Sequence, residues 1–512
     1  MDRPDERLVA LLREDLDAAG YTVDGVESLL GPVASDALGR EHALPALRAT
    51  AGRGDPLAVL VRTFVLGRAV NPAALERALP RLGVAGARRL GLVAPSAADD
   101  GALVPLLDLR PYAASDRAGD IHWWIASDLG ELATGRALRT DHVLGVGGAS
   151  LTLAQVTVRA PRNRTLDLGT GCGIQALHAA RHSGTVVATD VSPRALRIAA
   201  LNAALAGVEL ELRHGSMLEP VAGERFDLVV SNPPFVITPR VAGVPEYEYR
   251  DAGATGDAVV RGLVTSVGEV LAPGGIAQLL GNWEVRDGED WREVVGAWLD
   301  ASGLDGWVVE RESLDPAQYA ETWLRDGGTT PERDPEGWAR MYGAWLDDFA
   351  ARGVTRIGFG IITLRSPAQG APTLRRLEEH HGSLVQPLGP VIEAFLAAHD
   401  WLERTDDAAL AAAHLRRAED VTEERYLTPG HVDPQVVLLR QGGGFGRAVQ
   451  VGTASAGLVG ACDGELTVGQ IVAALAHLLG RDDDDVAREV LPVVRGLVRD
   501  GLLLAGESVS SA

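Results

Sequence analysis

The sequence predicts an α/β protein whose core is a doubly wound, Rossmann-like sheet of seven strands, flanked by mainly helical regions. Strands and helices alternate from about residue 163 to residue 364, as they do in such sheets. Four predicted strands are followed by or end in polar residues, namely Asp167, Asp190, Ser216 and Asn232. Because ligands of open α/β sheets lie beyond the carboxyl ends of the strands, these four residues predict a binding site at that edge.

The length of 512 residues is too great for one hydrophobic core and predicts about three domains. Residues 1–120 are predicted to form a helical, winged-helix-like domain. Residues 121–367 hold the predicted sheet and an insertion near 313–350. Residues 368–512 form a third domain that is again winged-helix-like, with a helix expected near Leu374–His380 and the order helix, helix, strand over 467–504.

The insertion carries aromatic residues at helical spacing: Tyr319, Trp323, Trp338, Tyr342, Trp345 and Phe349. This spacing predicts that the rings pack in a core, because one face of a helix is normally buried. Stacking of the rings on a nucleic-acid base is the alternative.

Composition narrows the classes of partner. The net charge is −22 and the chain contains no lysine, so all 48 basic residues are arginine. Such acidity does not steer the whole protein to nucleic acid, and a nucleic-acid partner would need a local arginine patch. The candidates are Arg159, Arg162, Arg164, Arg240 and Arg250.

The sequence also gives predictions about the cellular location of the protein and about metal binding. There is no apolar run long enough for a membrane span, and the charged N-terminus lacks a signal-peptide pattern, which predicts a cytoplasmic protein. The two cysteines, Cys172 and Cys462, suit neither a disulfide framework nor a zinc site. Asp482–Asp485 are expected to complement a helix dipole rather than bind a metal, and no metal site is predicted.

The first chemical motif is a glycine turn, Asp167-Leu168-Gly169-Thr170-Gly171-Cys172-Gly173, followed by a predicted helix from Ile174. A dinucleotide fingerprint has its third glycine one position later, so the pattern here does not match that of NAD enzymes. A carboxylate beside the turn favours a cationic ligand such as S-adenosylmethionine (SAM). Asp190, at the tip of the next strand, is placed to hydrogen-bond a ribose.

The second motif, Asn232-Pro233-Pro234-Phe235, follows a hydrophobic strand. Two prolines remove backbone donors, so this turn presents carbonyl oxygens. With an asparagine oxygen and an aromatic ring, it suits a planar NH₂ group that donates two hydrogen bonds and stacks on the ring.

Together the two motifs resemble those of class I SAM-dependent methyltransferases of the N6-adenine and N5-glutamine type, the methyltransferase small domain family. The resemblance implies SAM as cofactor. It also implies that Asn232 and the Pro233 carbonyl accept the hydrogens of the substrate nitrogen while Phe235 stacks on its plane. In such enzymes, positioning for in-line displacement supplies most of the catalytic effect.

The resemblance also implies the residues that contact the cofactor. The expected set is Asp167, Gly169, Thr170, Gly171, Gly173, Asp190, Val191, Ser216, Met217 and Asn232. Ser216 departs from the family, which usually has aspartate at the adenine contact, and backbone groups of Met217 could serve instead. A segment like Asp141–Leu153 folds over the methionine end of the cofactor in the family, and a Gly-rich linker is the alternative here.

Three functions remain open from the sequence. The first is N-methylation of a purine amine in RNA or DNA, favoured by Phe235 and the winged-helix-like regions. The second is methylation of a protein glutamine, and the third is a SAM-binding regulator without catalysis. Residues 247–251 are expected to form a lid over the substrate or a solvated loop. His178 and His182 are expected to serve in packing or at the surface.

Overall fold

Helices and two hairpins precede the central sheet in this computed structural model, which describes residues 4–99, 101–116, 118–135, 138–241, 253 and 255–505. The helices are α1 (Glu6–Ala18), α2 (Val23–Gly39), α3 (Ala43–Thr50), α4 (Pro56–Leu60), α5 (Pro72–Ala78) and α6 (Gly83–Arg89). The antiparallel hairpins pair β1 (Val93–Pro95) with β2 (Leu103–Pro105), and β3 (Asp108–Asp116) with β4 (Gly119–Ser127). The predicted helical character of this region is confirmed.

The central sheet follows two short helices, α7 (Glu131–Thr134) and α8 (Gly148–Val156). Its strands are β5 (Arg162–Leu168), β6 (Ser183–Asp190), β7 (Glu211–His214), β8 (Phe226–Ser231), β9 (Leu271–Arg286), β10 (Asp305–Leu314), β11 (Val354–Arg365) and β12 (Arg375–Glu379). The helices between them are α9 (Ile174–Ala180), α10 (Pro193–Ala206), α11 (Ala258–Ser266), α12 (Trp291–Ser302), α13 (Pro316–Asp326) and α14 (Pro335–Ala351). Within the described residues the strand order is β12-β10-β11-β9-β8-β5-β6-β7.

The order of the strands places the two motifs side by side. From β5 the chain adds β6 and β7 on one side and then β8 and β9 on the other, and these five strands run parallel. Leu168 at the end of β5 pairs with Ser231 at the end of β8. The glycine turn and the Asn-Pro-Pro-Phe turn therefore leave neighbouring strands at the edge where the order reverses, and the predicted doubly wound fold is confirmed.

One secondary-structure prediction was wrong. Leu374–His380 was expected to be helical, but Arg375–Glu379 forms β12, an eighth strand that runs parallel to β10 in the described part of the sheet. Charged side chains are common on edge strands, where they discourage pairing with another chain. Their abundance here made the segment look like a solvated helix.

One hydrophobic core joins the N-terminal helices to α9 and α10. Leu12 and Phe64 of the N-terminal region belong to the same buried cluster as Leu177 and Ile198. Buried Asn202 on α10 adds polar links: it accepts from the Ala126 N–H at 2.7 Å and donates to the Ala126 and Cys172 carbonyls at 2.8 and 2.7 Å. His178 packs against Tyr112, so its predicted packing role is confirmed.

The helical insertion packs as its aromatic spacing predicted. Tyr319, Trp345 and Phe349 are buried in one cluster, with Trp323 and Trp338 partly buried against it. Tyr319 lies on α13, whose first turn is closed by a capping box between Asp315 and Gln318.

By contacts the chain divides into two compact units, Met1–Ala154 with Pro161–Glu379, and Gln155–Ala160 with His380–Ala512. The second unit contains α15 (Gly389–Glu403), α16 (Asp407–Ala412), β13 (His414–Arg417), β14 (Val421–Tyr426), β15 (Val436–Gln441), β16 (Ala448–Val451), α17 (Thr453–Ala461), β17 (Asp463–Thr467), α18 (Val468–Leu479), α19 (Asp483–Arg499) and β18 (Leu503–Ala505). The predicted order helix, helix, strand at its end is confirmed. Whether the chain has three domains with boundaries near 120 and 367 stays a prediction.

None of the described helices combines the length and the apolar character needed to cross a membrane.

Candidate active site

The glycine turn leaves its outer face open. Gly169, Gly171 and Gly173 have φ values of +72°, +54° and +90°, a region that residues with a side chain rarely adopt. A Cβ atom on Gly169 or Gly171 would meet no heavy atom within 4 Å, whereas one on Gly173 would lie 3.1 Å from the Ala199 Cβ. The first two glycines therefore let a ligand lie on the backbone, and the third allows α9 and α10 to pack closely.

Asp167 shapes the turn from inside. Its buried Oδ2 accepts hydrogen bonds from the Thr170 hydroxyl at 2.6 Å and the Ala176 N–H at 2.9 Å. Burial raises the pKa of Asp167 to about 7, because the charged carboxylate loses its hydration there. The expected contacts of Asp167 and Thr170 with the methionine end of a cofactor stay predictions.

The raised pKa of Asp167 gives a prediction for stability against pH. Because the folded protein holds this proton more tightly, the stability that the group contributes is fully present below about pH 4 and is lost as pH rises through about 7. Asp167→Asn keeps an oxygen for Thr170 and Ala176 but cannot ionise. We therefore expect the variant to gain stability relative to the wild-type protein as pH rises through this window. Denaturant titrations of both proteins at about pH 5 and about pH 8 measure this; a difference that stays constant would contradict it.

Asp190 ties the glycine turn to the next loop. One of its carboxylate oxygens accepts from the Gly171 N–H at 2.9 Å and the other from the Ser192 N–H at 2.8 Å. Burial raises the pKa of Asp190, and these hydrogen bonds oppose the rise. Each carboxylate oxygen has a further lone pair, so the half-buried group can still accept from a ribose diol.

Two apolar side chains stand exposed beside Asp190. Val191, the next residue, is 54% exposed, and Met217, on the loop after β7, is 37% exposed. The two loops are joined by a hydrogen bond of 3.1 Å from the Gly215 N–H to the Asp190 carbonyl. Met217 has a φ of +48°, uncommon for a residue with a side chain. Exposed apolar groups on both loops suit the faces of a planar base, and neighbouring Ser216 is also exposed.

The Asn-Pro-Pro-Phe turn presents an unused acceptor. Oδ1 of Asn232 is buried and accepts no hydrogen bond from the residues that the structure describes. Buried polar atoms are nearly always paired, so this oxygen, in a turn beside the binding edge, is a candidate acceptor for a ligand. Pro233 is buried and Pro234 half-buried. The half-buried ring of Phe235 lies 5.1 Å from that of Phe359 and 6.1 Å from that of Trp323.

Two arginines of the predicted patch, Arg162 and Arg164, lie away from this site, and Arg240 follows the turn along the chain. Arg162 and Arg164 begin β5, so they lie at the amino edge of the sheet, a strand length away from Asn232. Arg164 is paired with Glu224 at 2.6 Å. The expectation that these arginines flank the catalytic turn was therefore wrong. Arg159 belongs to the other compact unit, and Arg250, with residues 247–251, lies outside the described residues.

Three residues that form hydrogen bonds beside the two turns were not predicted from the sequence to do so. Asn202 fixes the Cys172 carbonyl of the glycine turn, and Asn282 and Tyr319 hydrogen-bond to each other at 2.7 Å beside the Asn-Pro-Pro-Phe turn. Asn202 and Asn282 stand in no motif, and Tyr319 was grouped with the packing aromatics. Only the pairing of strands and helices brings them to the site.

These residues fit SAM as a cofactor. An open glycine backbone, a carboxylate at the tip of β6 and two exposed apolar side chains correspond to its methionine, ribose and adenine parts. The glycines and Asp190 would hold it, with Val191 and Met217 beside the base.

Comparison with known proteins agrees with this arrangement. Residues 145–296 match the family model of the methyltransferase small domain, and residues 18–103 and 393–505 match two domains of unknown function (DUF7059 and DUF7782). A release factor glutamine methyltransferase of Deinococcus radiodurans is 42% identical over 125 residues, 23% of this chain and 45% of that protein. A ribosomal protein uL3 glutamine methyltransferase of Bradyrhizobium diazoefficiens is 35% identical over 157 residues, 28% of this chain and 49% of that protein.

The chain thus spans about half the length of these curated relatives. Among solved structures, a Pyrococcus furiosus methyltransferase aligns with 42% of this chain and 81% of its own, at 16% identity and a TM-score of 0.26. The family match and the two motifs identify residues 145–296 as a class I methyltransferase small domain with SAM as its cofactor.

Proposed function

We propose that the protein methylates the side-chain amide nitrogen of a glutamine in another protein. The observation that carries the proposal is the buried, unpaired Oδ1 of Asn232 beside the half-buried ring of Phe235. The related proteins from Deinococcus radiodurans and Bradyrhizobium diazoefficiens are named for glutamine methylation. They favour this substrate over the purine amine that the sequence analysis placed first.

The Asn-Pro-Pro-Phe turn is suited to a substrate nitrogen of low reactivity. An amide nitrogen is a poor nucleophile because its lone pair is delocalised into the carbonyl group. Asn232 Oδ1 and the Pro233 carbonyl would accept its two N–H bonds and hold the nitrogen so that its lone pair points at the methyl group. SAM, when bound, supplies a methyl group on a positively charged sulfur. A bond from nitrogen to methyl forms, the bond from sulfur to methyl breaks, and one N–H proton leaves to solvent.

The charge of the chain agrees with a protein substrate. A net charge of −22 repels nucleic acid and attracts a basic protein. Of the arginines proposed for phosphate contacts, Arg162 and Arg164 lie at the opposite edge of the sheet from the turn, whereas Arg240 follows the turn by five residues along the chain. A purine amine in RNA or DNA remains the second candidate, because a turn of this type suits any planar NH₂ group.

Radiolabelled SAM tests the choice. The purified protein is incubated with ribosome and soluble fractions of a bacterial lysate, and with purified release factor and ribosomal protein uL3. We expect the label in material that resists nuclease and is lost with protease, and mass spectrometry should place it on a glutamine. Label lost with nuclease would transfer the proposal to nucleic acid, and SAM binding without transfer to either would support a non-catalytic regulator.

A further inference from the structure

A second unused acceptor lies on β9. Asn282 is only 1% exposed, and its Nδ2 donates to the Tyr319 hydroxyl at 2.7 Å. Its Oδ1 is buried and accepts no hydrogen bond from the part of the chain that the structure describes. One end of the amide is thus anchored while the other end is unpaired, which costs stability unless a ligand pairs with it.

Strand register places this acceptor next to the Asn-Pro-Pro-Phe turn. Asn282 pairs with Phe359 of β11, and residues directly opposite in antiparallel strands share a face of the sheet. The Phe359 ring lies 5.1 Å from that of Phe235. The Tyr319 hydroxyl that anchors Asn282 also accepts from the Ile237 N–H at 3.0 Å, two residues beyond Phe235. Asn282 and the backbone just after the turn therefore share one hydrogen-bonding partner.

The helical insertion fixes the position of that partner. Tyr319 is buried on α13 against Trp345 and Phe349, and Trp323, one turn further on, meets the Phe235 ring edge to face. α13 and α14 lie beyond residue 296, where the match to the methyltransferase family ends. The insertion thus adds a wall on the substrate side of the turn that the matched domain does not include.

Counting donors and acceptors indicates the ligand of this oxygen. A glutamine amide has two N–H bonds, and Asn232 Oδ1 with the Pro233 carbonyl would accept both. A third acceptor can take a donor from elsewhere in the substrate, and a protein substrate has main-chain N–H groups next to its glutamine. Asn282 is shielded from bulk water, so a hydrogen bond donated to it would be strong once surrounding side chains admit the peptide.

We propose that Asn282 is a substrate-binding residue whose Oδ1 accepts a main-chain N–H of the peptide that carries the glutamine, and that Tyr319 is the positioning residue that orients it. This proposal rests on the glutamine methyltransferase function proposed above. It assigns selection of a peptide, as distinct from any planar amine, to Asn282 on β9 held by Tyr319 of the insertion.

The test uses the full chain and two small probes at millimolar concentration. One is N-acetylglutamine N-methylamide, which has an amide side chain and flanking peptide N–H groups, and the other is adenosine, which has a planar amine without them. Methyl transfer from labelled SAM is measured for the wild-type protein, Asn282→Leu and Tyr319→Phe. We expect kcat/KM for the glutamine probe to fall roughly tenfold or more in Asn282→Leu, mainly through KM, and by less in Tyr319→Phe.

Three controls separate the outcomes. SAM affinity and the thermal midpoint of each variant should stay near wild type, which excludes a merely structural loss, and residual transfer to adenosine should not change. An unchanged KM for the glutamine probe in folded Asn282→Leu would overturn the inference while leaving the proposed function intact. Equal loss on both probes would also overturn it, placing Asn282 at the shared amine site. Transfer by the wild-type protein to adenosine alone would overturn the proposed function and this inference together.

Discussion

Asn232→Ala should lower methyl transfer by roughly two orders of magnitude or more while SAM affinity stays within a few-fold of wild type. The buried Oδ1 of Asn232 accepts no bond from described residues, so its removal costs the free protein little. In the reaction it would hold the nitrogen as its lone pair turns toward the methyl group, so its loss should appear in kcat. Single-turnover transfer and calorimetric SAM titration measure the two effects separately.

Asn163→Ala is the matched control for this variant. Asn163 is an exposed asparagine near the start of β5, at the opposite edge of the sheet, and its replacement should leave both measurements unchanged. A parallel loss of SAM binding and transfer in Asn232→Ala would place Asn232 among the cofactor contacts. Unchanged transfer would remove it from the catalytic turn.

Asp190→Ala should weaken SAM binding by about 1–3 kcal/mol, which corresponds to roughly five- to 150-fold in Kd. The Asp190 carboxylate accepts hydrogen bonds from the Gly171 and Ser192 N–H groups. Its removal would leave both donors unpaired and would also remove the expected ribose contact. Calorimetric titration of SAM gives the change directly.

Two further variants test this result: Asp190→Asn, which should have an intermediate effect, and Asp17→Ala, which is a control. The amide can still accept from one of the two N–H groups, so it should weaken binding less than alanine does. Asp17 is exposed on α1 and should leave binding unchanged when replaced. An unaltered SAM affinity in Asp190→Ala would show that the ribose assignment is wrong.

The sequence alone was sufficient to predict those parts of the candidate site that depend on local backbone conformation. The glycines at 169, 171 and 173 adopt the left-handed conformations for which glycine is suited, and Asp190 stands at the strand tip. These features depend on neighbours a few residues apart or on strand spacing, both of which a sequence pattern contains. The doubly wound sheet and the packing of the insertion were predictable for the same reason.

Features that depend on contacts between residues far apart in the sequence could not be predicted from local patterns. Asn282 acquires its partner only because β9 pairs with β11 and α13 packs against the same face. The arginines near β5 seemed suited to phosphate until the strand direction placed Arg162 at the far edge. Oδ2 of Asp167 accepts hydrogen bonds from Thr170 and Ala176, which the motif alone did not indicate, and the expected contact of Asp167 with a cationic ligand stays a prediction. Sequence identifies the residue types, whereas topology decides which atoms remain available.

The core shared by the N-terminal helices with α9 and α10 makes the matched segment dependent on what precedes it. A fragment limited to residues 145–296 would lose the Ala126 backbone from Asn202 and uncover Leu177 and Ile198. The fragment would still contain the glycine turn, but Asn202, which donates a hydrogen bond to the Cys172 carbonyl of that turn, would no longer be held in place by Ala126. We therefore expect substitutions that disturb this core in the N-terminal helices to weaken SAM binding, although they lie far upstream of both motifs.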